Sequence, residues 1–159
     1  MTGRAGSTGR LGARAIAALQ AALAAEQAAC YGYGVVGARL NASAPPGQGA
    51  DADWVAHQVA RDGLTALITA AGATPVPAPV AYELPIQVNT AAQARSLAVI
   101  LEDNVAAAYM SLVGLSDMSL RELGTRELTA AALRAARWRR STVPFPGLEP
   151  GDEHSLQPG

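Results

Sequence analysis

A glutamate stands where a leucine belongs in the first apolar stripe of this sequence. From Ile16 the stripe runs Ile16, Leu19, Leu23, Glu26, Cys30, Tyr33, Gly37, Leu40, alternating three and four residues apart. That spacing keeps all eight on one side of a single helix, the side a core would cover. A carboxylate in mid-stripe must be paired, ligated or protonated, because burying an isolated charge is costly. The natural partner is Arg61, on a second stripe of Trp54, His57, Arg61, Leu64 and Ile68. Arginine is always charged and grips a carboxylate with two donors. Tyr109 can add a hydroxyl. The expectation is a buried polar core of Glu26, Arg61 and Tyr109.

The elements that must position these residues read as four helices. Residues 1–10 are a leader of Gly, Ser, Thr and Arg, and a first helix spans about Leu11 to Leu40. The Pro/Gly-rich stretch 41–50 reads as a breaker. Asp51 or Asp53 then caps a second helix that stops at Gly72. Residues 73–89 carry Pro75, Pro77, Pro79 and Pro85 and form a long extended connection. Thr90-Ala-Ala-Gln93 is a capping box that opens a third helix to about Val113, and Ser119-Leu-Arg-Glu122 reads as another that opens a fourth to about Arg140. The bundle is expected over 11–148, with a flexible tail at 149–159 and Phe145 pinning the early tail to the helices. No segment alternates at period two long enough to be a strand, and Pro85 spoils Tyr82–Val88, the nearest candidate. The fold class is all-α: two antiparallel hairpins joined by a long Pro-rich crossover between helices 2 and 3.

If the first hairpin turns near residue 46, Trp54 lies beside Gly37, Leu67 opposite Glu26, and His57 opposite Val35. His57 then stands on the order of 14 Å from Glu26 along the helix and reads as a core or capping histidine. Gly32-Tyr-Gly34-Val-Val-Gly37 matches the dinucleotide-binding pattern letter for letter. That chemistry requires a strand before the glycines, and here a helical stripe passes straight through them. The expectation is a packing groove at Gly37 for Trp54. The cluster Arg134, Arg137, Arg139, Arg140 suits the negative end of the fourth helix.

Composition narrows the partners. Net charge is −1, and all 12 basic residues are Arg, with no basic stripe interleaved with aromatics, so nucleic acid is not expected. No run of about 18 strongly apolar residues is uninterrupted, so no membrane span is expected. One cysteine, Cys30, cannot form an internal disulfide, which fits a reducing cytoplasm. The minor alternative is an exported lipoprotein processed at Cys30, which Gln20, Glu26 and Gln27 interrupt as a signal.

The layout resembles a ferritin-like domain family of unknown function found in actinobacterial proteins. The residues that carry the resemblance are the 25–34 segment (AEQAACYGYG), His57 to Asp62, Tyr82-Glu-Leu-Pro85, Leu101-Glu-Asp103 with Tyr109, and Arg137-Trp-Arg139 before Phe145-Pro-Gly147. Together they cover about residues 11–148. The resemblance implies a bundle whose wider superfamily holds two irons or manganeses, with a Glu from each of two helices and Glu-x-x-His from each of the others. This sequence has no Glu-x-x-His at all. Matching position by position leaves Glu26, His57, Glu102 and Glu127, with Glu102 and Glu127 expected within a turn of each other. The expectation is therefore a bundle without a complete dimetal centre and without a cofactor: a structural or protein-interaction module, homodimeric through an Ala-rich face, rather than an enzyme. The alternative is an iron or manganese oxidoreductase with a reduced or shared site.

Overall fold

The computed structural model describes residues 11–41 and 45–139. They form a four-helix bundle of α1 (Ala13–Arg39), α2 (Pro45–Ala70), α3 (Ala91–Val113) and α4 (Met118–Arg139), with no strand among the described residues. The expected leader and the tail with Phe145 lie outside them. Three of the four helices begin and end close to where the sequence puts them, because local chemistry sets their ends. At the start of α3, Thr90 accepts from the Gln93 amide and the Gln93 side chain reaches back to the Thr90 amide, closing both halves of a capping box. At the end of α2, Gly72 adopts a positive φ of 79°. Ala73 donates to Ile68 and Gly72 to Thr69, a Schellman stop that only glycine accommodates without strain.

The cap of α4 and the start of α2 differ from expectation. α4 is capped by Asp117, which accepts from the Leu120 amide at 3.0 Å and from the Ser119 hydroxyl, so Ser119 already lies inside the helix. The larger change is at α2, which begins at Pro45. Proline breaks a helix interior, but in the first turn its missing N–H is no loss and its fixed φ suits the helix. Pro45-Pro46 therefore starts α2 rather than interrupting the chain, about six residues before the expected cap. Glu26 consequently lies level with His57 rather than Leu67, and cross-hairpin partners move by roughly two to three turns.

α2 packs on α1, α1 on α3 and α3 on α4, while α2 and α4 meet chiefly through the side chains of Asp53, Arg137 and Trp138. Small residues set the close approaches. A Cβ on Gly32 would meet the Leu101 side chain at 2.5 Å, and one on Gly124 would meet the Tyr109 carbonyl and the Val113 amide, both at 3.0 Å. The expected groove at Gly37 is absent: nothing lies closer than Asp51 at 3.9 Å, and Trp54 instead donates to the Cys30 carbonyl. All three glycines of the dinucleotide-like pattern lie inside α1. The connection between α2 and α3 lies along α1, held by Gln20 on Thr74 and Val76 and by Gln27 on Val76. Arg39 holds its far end at the Val88 carbonyl. By length and composition alone α3 is long and apolar enough to cross a membrane; in the bundle it is the helix that packs on both α1 and α4.

The glycine contacts make a prediction. Gly124→Ala pushes a methyl against α3 backbone and should destabilise by about 1–3 kcal/mol of overpacking. Gly37→Ala makes only an ordinary contact with Asp51 and should stabilise by up to about 1 kcal/mol through helix propensity. Thermal melts of both variants check this; equal effects would mean that the α3–α4 approach is looser than described.

Candidate functional site

Each helix of the bundle contributes polar side chains to one buried cluster. α1 brings Glu26 and Tyr33, α2 brings Asp53 and His57, α3 brings Glu102 and Tyr109, and α4 brings Arg134, Arg137 and Trp138. Glu26, His57 and Glu102 are at most 1% exposed. His57 Nδ1 lies 2.6 Å from Glu26 Oε2, and its Nε2 lies 3.1 Å from Glu102 Oε1. A neutral imidazole has one N–H and cannot donate to both, so with both carboxylates ionised the bridge is made by the imidazolium. Burial alone would push the His57 pKa down, but the hydrogen bonds to Glu102 and Glu26 hold it up at about 9.

Glu102 is the hub. Its Oε1 accepts from Tyr33 at 2.6 Å, Arg134 Nε at 2.9 Å and His57. Burial would push this carboxyl up, but the hydrogen bond and charge of His57, and then Arg134, hold it below the ordinary carboxylate value. Its Oε2 is buried and accepts no hydrogen bond. Tyr109 donates to the other oxygen of Glu26 at 2.9 Å, so both Glu26 oxygens are engaged. On the other flank Asp53 receives Arg137 at 2.5 and 2.6 Å and Trp138 Nε1 at 2.9 Å. Tyr33 stacks on His57 with ring centroids 5.0 Å apart and joins the two halves. Three carboxylates (Glu26, Asp53, Glu102) thus face three cations (His57, Arg134, Arg137), and burying such groups is tolerable only because each is matched.

Several expectations are corrected. Glu26 pairs with His57, not Arg61; Arg61 is partly exposed and bonds its neighbour Asp62. The expected 14 Å between Glu26 and His57 is a direct contact, because α2 starts earlier. Glu102 and Glu127 have separate partners. Arg134 of α4 donates to Glu102, while Glu127 is half-buried beside Arg126. Tyr109 does reach Glu26, as expected. Sequence reasoning missed Tyr33, Asp53, Arg134, Arg137 and Trp138 as cluster members. The available signal was on α4, where Arg134 sits within the buried stripe Ala131, Ala135, Trp138.

The residues 18–150 match the family model described as a domain of unknown function (DUF4439). The chain belongs to this family. Among solved structures, the DUF4439 chain is similar to a conserved hypothetical protein, rv2844, from Mycobacterium tuberculosis. Identity is 34%, the match covers 82% of this chain and 98% of that one, and the TM-score is 0.77. None of the curated proteins matches the chain. The charged cluster described above, from Glu26 to Trp138, lies wholly inside the DUF4439 match.

Proposed function

We propose that the chain is a ferritin-like bundle whose own arginines and histidine neutralise the carboxylates that a metal pair would otherwise hold, and that it acts as a structural or protein-interaction module. The connection held along α1 from Gln20 to Arg39 returns the chain to the end where α2 began. A bundle with one long crossover of this kind is the ferritin-like topology. The observation that carries the reading is Arg134 at 2.9 Å from Glu102. At that level α4 presents a guanidinium, which has no lone pair to offer a metal.

The remaining donors fit a metal pair poorly. Both nitrogens of His57 and both oxygens of Glu26 are engaged, and among the described residues no group of three or more His, Cys, Asp or Glu is arranged to hold an ion. One observation favours the second reading, an iron or manganese oxidoreductase with a reduced site drawn from Glu26, His57 and Glu102. Glu102 Oε2 is buried without a partner, the kind of orphan acceptor a small cation would satisfy.

Metal content separates the two. Protein expressed with iron, manganese and zinc supplied should carry well below one ion per chain by mass spectrometry, and Glu26→Gln should leave that figure unchanged. One or more ions per chain, lost in Glu26→Gln, would sink the interaction-module reading and promote the oxidoreductase.

A further inference from the structure

α2 carries two stripes and the bundle uses only one. Ala50, Asp53, His57, Leu64 and Ile68 are buried. Roughly opposite them, Ala52, Ala56, Val59, Gly63, Ala66 and Ala70 alternate four and three residues apart and are all exposed. They fall within an arc of about 80° on the helix. Val59 is 68% and the flanking Val55 54% exposed. α2 packs broadly on α1 alone, and between α2 and α4 a groove of about 560 Å³ lies open, walled by Val59, Gly63 and Leu67 on one side and Leu123 and Glu127 on the other. Water-facing apolar surface of this kind on a bundle helix marks an interaction site.

We propose that a second copy of this chain covers the stripe, its α2 lying antiparallel on the first. The pattern is self-complementary. Turned end for end about a point near residue 61, Ala52 faces Ala70 of the partner, Ala56 faces Ala66 and Val59 faces Gly63. Each branched Val59 then enters the gap left by a glycine, twice, as a two-fold interface requires. Alanines on either side let the backbones approach closely. No charged side chain lies on the stripe, and the flanking Asp62 is neutralised by Arg61 at 2.8 Å in its own chain. The stripe is about 27 Å long. Two such strips with the α4 wall bury on the order of 1,000 Å² in total, the lower range for a specific interface, so association depends on concentration.

The proposal rests on the interaction-module reading and names its partner. Sedimentation velocity of the full chain over a wide concentration range should show monomer passing to dimer. Val59→Glu and Gly63→Glu each bury an unpaired charge in the interface and should weaken it by at least about 100-fold, with the helical circular dichroism unchanged because both positions are exposed. Ser111→Glu, on the exposed side of α3, should leave it intact. Separately made Val59→Cys and Gly63→Cys chains should cross-link on mixing under mild oxidation. The Cys30 thiol, which burial pushes up to about 11, should not compete. A chain monomeric at every concentration, or a dimer indifferent to both glutamates, overturns the proposal. With metal content below one ion per chain, either outcome removes this partner and leaves the interaction-module reading standing; bound metal removes the reading itself.

Discussion

Glu102→Ala is expected to destabilise the bundle by about 3–5 kcal/mol, the penalty for leaving buried charged partners unmatched. The substitution removes the acceptor shared by Tyr33, His57 and Arg134. It leaves the His57 imidazolium with Glu26 alone and the half-buried Arg134 guanidinium with no carboxylate. It also leaves a small cavity at a fully buried position, which adds to the loss. Glu102→Gln retains one acceptor oxygen and the volume, so its cost should be smaller. Arg61→Ala provides the contrast. Its partner Asp62 is largely exposed, and a surface pair of this kind contributes at most about 1 kcal/mol. Urea denaturation of the three variants tests the ordering. A Glu102→Ala midpoint within error of the parent would mean that the network is solvated and that Glu102 is not its hub.

The second large effect is a loss of stability at alkaline pH. His57 is held up at about 9 in the folded bundle, against about 6.5 for an unfolded histidine. A group whose folded pKa is raised stabilises fully below its unfolded value and loses that contribution as pH rises through the folded one. The His57 contribution is therefore complete below about pH 6.5 and gone above about pH 9, a change on the order of 3 kcal/mol. On the acid side the sign reverses. Glu102 is held below its ordinary value, so its contribution is present above about pH 4.5 and is lost as pH falls further. The groups facing His57 are Glu26 from α1, Glu102 from α3 and the ring of Tyr33. Burial pushes the Tyr33 and Tyr109 hydroxyls far up, which extends the alkaline loss only once unfolded tyrosine ionises near about pH 10. Urea midpoints taken between about pH 6 and about pH 9 should fall steadily in the parent and stay nearly level in His57→Gln. A flat parent profile would show that His57 is neutral, and the double bridge to Glu26 and Glu102 would then be wrong.

Breaking one member of the network and replacing the whole are different experiments. Removing a single acid or base strands its partner, whereas replacing matched groups together by apolar side chains of similar volume is often neutral or stabilising. A network kept at that cost fits a role in fixing which helices face one another: His57 ties α2 to α1 and α3, and Arg137 ties α4 to α2.

The sequence by itself determined what local chemistry controls. Four helices follow from the 3–4 spacing of apolar residues, the α3 start from the Thr90–Gln93 box, and the α2 stop from Gly72. The buried glutamate in α1 was legible for the same reason, since Glu26 sits on a stripe of apolar neighbours whichever helix covers it. Its partner was not legible. Partner choice depends on the level at which two helices meet, and that level turns on whether Pro45-Pro46 ends a segment or begins one. Both outcomes suit proline locally, so only the packing of α2 on α1 decided between them. The earlier start of α2 exchanged Arg61 for His57 opposite Glu26. The same limit held on the second hairpin, where the packing of α4 on α3 set Arg134 rather than Glu127 against Glu102. Spacing along a helix fixes its faces; the register between helices is a tertiary property, and this cluster is built entirely from contacts between helices.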